Sequence, residues 1–346
     1  LTNLPSTPIR NFIIDGDFTQ WPEGDRTNAG NGQYGSALFS VLKYGTSAVF
    51  DIKQSTDIPT LAQSNHLSKT SMHVDCTTAD TSVAAADYFI LAYHITGYDY
   101  AHLHGQEVTF ATWVKSDITG VYSVAFRGTV GGRTYGTSFT ISSADTWEYK
   151  TITLTLDTSD ASYNFDEGKG LDIYISLIAG SNYNFSSPGS WQAEGKLTAP
   201  NQVNFGSADT NDFRMAQTGL YLGASAPTFT SPAISTVKNQ VDYYIQRLDF
   251  DDGGDMMIQA GVTDAVGSGR IVINLASSMR ISPTITSSAA NTFLWFEGDF
   301  TNQAPSGVSF SGISQTFFRL TASLSSAAVG AGFLRRDGTD TSWIMA

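Results

Sequence analysis

The feature that most limits the fold of this chain is a period of two. From Asn11 onward, short runs of alternating apolar and polar residues follow one another, broken by clusters of Gly, Asn, Asp and Ser. Neighbouring side chains point to opposite faces only in extended backbone, so each run predicts a half-buried strand. Charged residues make up 15% of the chain, too few to coat a set of surface helices. Aromatic residues make up 12%, which suits pleated sheet surfaces. The expected fold class is all-β.

Ten strands are predicted in the first two thirds of the chain: Ala37–Leu42, Ala48–Gln54, Ser71–Cys76, Tyr88–Ile95, Glu107–Lys115, Gly120–Arg127, Thr134–Ile141, Glu148–Leu156, Leu171–Ala179 and Asp212–Leu222. Their length and spacing are those of a sandwich of antiparallel sheets. In one of them Val108, Phe110, Thr112 and Val114 alternate with Thr109, Ala111, Trp113 and Lys115, which marks a strand inside a sheet rather than at its edge. Residues 1–8, with Pro5 and Pro8, read as a linker from an upstream part. Ser181–Asn211 has little periodicity and is long for a loop, as functional or partner-supported loops are. Val237, Val241, Tyr244 and Leu248 fall at helical spacing, so Thr236–Leu248 is expected to be a helix joining two domains. Beyond it come seven further short strands, Met256–Val262, Arg270–Asn274, Thr284–Ser288, Phe293–Phe296, Gly307–Phe310, Phe317–Ser323 and Gly332–Arg335. The domains are thus 9–235, a connecting helix at 236–248, and 249–346.

Composition also narrows function. With 19 Lys and Arg against 32 Asp and Glu, the formal charge is −13, and an acidic surface repels phosphate backbones. Nucleic acid is not an expected partner. No apolar run approaches 18 residues and no signal-peptide pattern opens the sequence, so membrane insertion is not expected. The single cysteine, Cys76, cannot form an intramolecular disulfide and reads as a buried strand residue.

Several segments together resemble a family of bacteriophage tail-fibre and related virion proteins. They are Asn11–Trp21 (NFIIDGDFTQW), Leu103–Lys115 followed by Thr146–Tyr149, Gly189–Gln192, Asp212–Gly223 (DFRMAQTGLYLG), Asp242–Arg247 and Ser278–Thr284. The first resembles the opening strand of those proteins and of carbohydrate-binding modules with a jelly-roll fold. The segments span most of the chain in the family's order. Two positions depart from the pattern: Tyr221 stands where the family has an acidic residue, and Asp242 where it has a cysteine nearby. The resemblance implies a jelly-roll β-sandwich followed by a short helix and a smaller C-terminal β domain. It further implies a homotrimer in the extracellular virion, in a tail or fibre, contacting other virion proteins and host-cell-surface glycan. Leu324–Phe333, rich in Gly and Ser and poor in charge, suits burial between subunits. Two alternatives stay open: a purely structural virion protein, such as a head fibre or decoration, and a carbohydrate-binding module of a secreted polysaccharide-degrading enzyme.

A sugar ring presents a patch of C–H groups that stacks on aromatic faces, with hydroxyls that need polar neighbours. Tyr163 and Phe165 in Tyr163-Asn164-Phe165-Asp166, and Tyr183, Phe185, Trp191 and Gln192 in the long loop, supply that mixture and are the candidate ligand-binding residues. The competing reading is that these rings pin the loop to the sandwich or to a neighbouring subunit, and for Trp191 the resemblance implies such a framework role. Trp113 and Trp147 are expected in the core, and Trp21 in the framework. By the same resemblance Asp17 and Asp212 are candidate ligands of a structural Ca²⁺; no other cofactor is expected. Asp249–Asp255 lacks the ligand alternation and distal Glu of an EF-hand loop and reads as a turn. His102 and His104, with His94 as a third ligand, are weighed as a zinc site and set aside as a polar loop. No nucleophile elbow, zinc-protease, phosphate-loop or dinucleotide motif occurs, and the chain is expected not to be an enzyme.

Overall fold

A computed structural model of the chain describes all residues except 1–8, 37, 129–131, 160–162, 193–194, 250–256, 266–267, 290–292, 298–301, 304, 326–329, 337–342 and 346. The expected linker at 1–8, most of the expected turn at 249–255, and part of the Gly- and Ser-rich stretch at 324–333 therefore lie outside the described residues. The chain divides into two compact units, Leu1–Val237 and Lys238–Ala346.

The first unit holds β1 (Phe39–Tyr44), β2 (Val49–Ser55), α1 (Leu61–Ser64), β3 (Ser71–Thr78), β4 (Tyr88–Thr96), α2 (Gly97–Tyr100), β5 (Glu107–Ser116), β6 (Gly120–Gly128), β7 (Thr134–Ile141), β8 (Glu148–Thr155), β9 (Lys169–Ala179), β10 (Trp191–Gln192) and β11 (Asp212–Leu222). One sheet has the order β2-β3-β11-β5-β8 and the other β1-β4-β9-β6-β7-β10. All pairs are antiparallel. With β1, β2 and β10 removed as flanking additions, eight strands remain. Numbered along the chain, they lie as first, eighth, third, sixth in one sheet and second, seventh, fourth, fifth in the other. That winding is the jelly roll.

Between the sheets lies one apolar core. The inward alternates of the five-stranded sheet (Phe50, Val74, Phe110, Phe213) meet those of the six-stranded sheet (Phe89, Leu91, Phe126, Ile175). Phe50 packs 4.1 Å from Phe89, centroid to centroid, and Phe205 closes over Phe50 at 5.6 Å. Each such fully buried ring contributes about 1.5–3 kcal/mol of transfer free energy.

The opening segment differs from the expected strand. Asn11–Trp21 is a series of turns, in which Asp15 and Phe18 have φ of 54° and 52°. The Asp15 carboxylate drives this by accepting hydrogen bonds from the N–H groups of Thr19 (2.9 Å) and Gln20 (2.8 Å). The segment still lies along β11: Phe12 N–H donates to Leu220 O, and Thr218 N–H to Gly16 O.

The second unit contains a seven-stranded and a three-stranded antiparallel sheet. Its strands are β12 (Arg247–Asp249), β13 (Met257–Ala265), β14 (Ser268–Asn274), β15 (Thr286–Ser287), β16 (Phe293–Glu297), β17 (Asn302–Gln303), β18 (Gly307–Ser311), β19 (Phe317–Ser323), β20 (Gly330–Arg336) and β21 (Trp343–Met345). The seven run β17-β16-β20-β13-β14-β19-β18, and the three run β12-β21-β15. Ile271, Ile273, Phe293, Phe318, Leu320 and Ile344 form its core. The helix α3 (Ile234–Asp242), which spans the boundary between the units, is shorter than the expected Thr236–Leu248. Its expected last turn instead enters the sheet as β12, because Gln246 is fixed by Ser277 O and Ala276 N–H (2.9 Å each). Among the described residues no helix is long and apolar enough to cross a membrane.

Candidate functional site

The five-stranded sheet turns its other set of alternates outward, and pairing register arranges them in bands. Asp51 pairs with Asp75 and Asp75 with Asp212, giving a row of acids across β2, β3 and β11. The next outward row is basic: Lys53 pairs with His73, His73 with Arg214, and Arg214 with Lys115 of β5. Beyond it Ala216 pairs with Trp113, and Trp113 with Tyr149 of β8. Gly219 and Tyr221 follow, after an irregularity in β11 between Ala216 and Gly219.

Two rings of this band reach solvent, those of Trp113 and Tyr149. The Trp113 and Tyr149 rings are 5.4 Å apart at 41°. Tyr221 folds over Gly219, where a Cβ would fall 2.4 Å from the phenol ring, so only glycine leaves that ring its place. Tyr149 is 44% exposed, while Tyr221 is buried. Burial pushes both phenols above their ordinary range, for Tyr221 with the neighbouring Tyr149 adding to it, so both stay neutral hydroxyls. On β8 the alternates Thr151 and Thr153 leave two further hydroxyls at the exposed edge.

Ion pairs lock the polar bands. Lys53 bridges Asp75 (2.9 Å) and Asp51 (3.2 Å). Arg214 reaches Asp212 (3.2 Å), which also accepts from His73. Burial, with the Arg214 charge beside it, lowers the pKa of the His73 imidazole. Asp57, from the turn after β2, closes the row by pairing with Lys115 (2.8 Å) and Arg214 (3.6 Å) and accepting the Trp147 indole N–H (3.0 Å). Burial acts to raise the Asp57 pKa, but hydrogen bonds from Lys115 and Trp147 and the two cationic charges hold it below the usual carboxylate range.

Trp147 is buried as expected, whereas Trp113 is a correction: it belongs to the outward face, not the core. Its strand has apolar side chains on both faces, so alternation alone does not say which set lies inside.

The other candidate residues fall into two separate groups. The long loop lies across the outer face of the six-stranded sheet. Phe185, 4% exposed, fills the space above Gly136, where a Cβ would come within 2.1 Å of its ring. Tyr183 meets Tyr88 edge-on at 5.3 Å. Trp191 donates its indole N–H to Thr155 O (2.8 Å), and Gln192 Oε1 accepts from Ser186 N–H (2.8 Å). Tyr183, Phe185 and Trp191 hold the loop to the sandwich, and the Gln192 side chain ties the loop to itself at Ser186 and Ser187. Beside them Asp172 is closed by His94 Nδ1 (2.5 Å) and the Tyr174 hydroxyl (2.6 Å). Tyr163 and Phe165 sit at the α2 end, packed with Tyr100 and His104 at 4.5–6.3 Å between ring centroids, and Phe165 keeps an exposed face.

Asp17 and Asp212 do not meet. Asp17 lies on the Gly16–Thr218 side of β11, bonded through Oδ2 to His66 (3.2 Å), with Oδ1 buried and without a hydrogen-bond partner. Asp212 is six residues back along β11, roughly 20 Å away at strand rise, and is occupied by His73 and Arg214. The two carboxylates do not fit one Ca²⁺. Among the described residues no group of three or more His, Cys, Asp or Glu is placed to hold a metal ion.

No protein-family model and no curated protein matches the chain. Solved structures similar to it include the enzymatically active domain of tailspike protein 4 from bacteriophage CBA120, at 11% identity over 56% of this chain and TM-score 0.32. The chain spans only 21% of that tailspike chain. Another is a family 11 carbohydrate-binding module from Clostridium thermocellum in complex with a β-1,3-1,4-mixed-linked tetrasaccharide, at 12% identity, 58% and 96% of the two chains, and TM-score 0.30. A third is the xylan-binding domain of Paenibacillus barcinonensis, at 10% identity, 63% and 97%, and TM-score 0.30. The class is set by the strand order: an all-β jelly roll with an aromatic, ion-banded outer sheet face.

Proposed function

We propose that this chain is the glycan-binding part of a phage tail-fibre or tail-tip protein and that it binds through the outer face of its five-stranded sheet. The observation that carries the binding reading is the solvent-facing Trp113–Tyr149 pair, bordered by Asp57 and by the threonines of β8. Flat rings and adjacent fixed polar groups are what the C–H face and the hydroxyls of a sugar require. The virion assignment is supported by the ordered segments from Asn11 to Thr284 that resemble tail-fibre proteins. Binding rather than cleavage is proposed, since the carboxylates of this face are tied to cations rather than set across a substrate groove.

A glycan array probed with the whole chain tests the binding reading. Wild type gives saturable binding to at least one class of cell-surface oligosaccharide. Trp113→Ala and Tyr149→Ala each lower the affinity by about tenfold, the order of one lost stacking contact. Retention of full binding by the Trp113→Ala/Tyr149→Ala double variant, correctly folded, refutes the assignment of this face.

A further inference from the structure

We propose that the aromatic band selects uncharged glycans and that Asp57 is the residue that excludes acidic ones; this rests on the glycan-binding reading above. Lys115 stands two residues from Trp113 on the same face of β5, and Arg214 is its partner across the sheet. These are the cations that border the band in the sheet register, and a uronate or sialate lying on Trp113 would seek them. Both are closed by Asp57. Exposure decides which charge a ligand meets: the Lys115 and Arg214 side chains are 17% and 15% exposed, and that of Asp57 is 37%. The outermost charged group at this end is therefore a carboxylate, with its counter-charges behind it.

A neutral sugar gains from that arrangement. Asp57 Oδ1 already accepts from Trp147 and Oδ2 from Lys115, and each oxygen has a second acceptor site for a sugar hydroxyl. A hydroxyl donating to an ionised carboxylate forms a stronger bond than one donating to a neutral acceptor. An anionic sugar gains nothing there. Its carboxylate would face Asp57 at short range, while the remaining cation of the row, Lys53, is held by Asp51 and Asp75. The formal charge of −13 adds a repulsive field against polyanionic chains.

The experiment compares the whole chain with its Asp57→Asn variant on an array carrying neutral oligosaccharides beside hexuronate- and sialate-bearing ones. Thermal unfolding checks the fold, and Asn keeps an oxygen for the Trp147 N–H. Wild type binds neutral sugars alone. Asp57→Asn weakens neutral binding several-fold and raises binding to acidic sugars by about tenfold or more, most strongly at low salt, because Lys115 and Arg214 lose their counter-charge. A wild-type preference for acidic sugars overturns the proposal and leaves the glycan-binding reading standing. An unchanged acidic-to-neutral ratio in the variant does the same. Failure of wild type to bind any glycan overturns both, and the wild-type comparison decides without the variant if Asp57→Asn does not fold.

Discussion

Asp15 shows how much one side chain can set locally. Its carboxyl organises the opening turns, yet it is buried, and burial outweighs the bonds from Thr19 and Gln20 and brings its pKa up to about 6 from 3.8. Between those two pH values the folded chain holds a proton that the unfolded chain has released. The stability Asp15 contributes is therefore present in full below pH 3.8 and is lost as pH rises through 6. Denaturant unfolding of wild type and Asp15→Asn from pH 3.5 to 7 should show the wild-type advantage falling by up to about 3 kcal/mol across that window. A flat difference would mean that the turn tolerates the ionised form. Trp147 makes a second point at this scale. Its N–H holds Asp57, so Trp147→Phe should cost about 1–2 kcal/mol in unfolding free energy while leaving the ring buried.

At the scale of elements, Phe185 over Gly136 is one of the contacts that hold the long loop to the six-stranded sheet. Gly136→Ala sets a methyl against Phe185, and the crowded ring should cost about 1–3 kcal/mol. Thermal unfolding should register this as a drop of several degrees, partly reversed by adding Phe185→Leu. An unchanged midpoint would show that the loop shifts freely. These elements also mark what could be read from the residues alone. Ten of the eleven strands of the first unit were legible because alternation survives wherever one face meets a core, as in Ser71-Met72-His73-Val74-Asp75-Cys76. Asn11–Trp21 was not, because Asp15 overrides the alternation with its own hydrogen bonds. The banded face was hidden too. His73, Arg214 and Lys115 lie far apart in sequence, and only the register of β3, β11 and β5 makes them one row. In sequence the loop's rings stand among polar side chains, the mixture a sugar needs, but in the fold Phe185 and Trp191 are spent on packing and hydrogen bonding.

For the whole molecule, a shallow sheet face gives weak contact per copy, and adhesion then depends on several copies acting together. In keeping with the tail-fibre proposal, mass photometry should report the mass of three chains, and a glycan-coated surface should retain that species far longer than a forced monomer. A particle that is monomeric at micromolar concentration would count against the fibre assignment.

The jelly-roll winding carries one more consequence, for biosynthesis. β11 lies between β3 and β5, so before it arrives those two strands are not neighbours. Lys53 and His73 then belong to one fragment of sheet, and Lys115, Trp113 and Tyr149 to another. A nascent chain halted on the ribosome short of Asp212 holds β2, β3, β5 and β8 and no join between the two pairs. Closure waits for the last strand to thread in across pairings about a hundred residues apart or more, a slow kind of step. Deletions that remove β11 should abolish the surface outright rather than trim it.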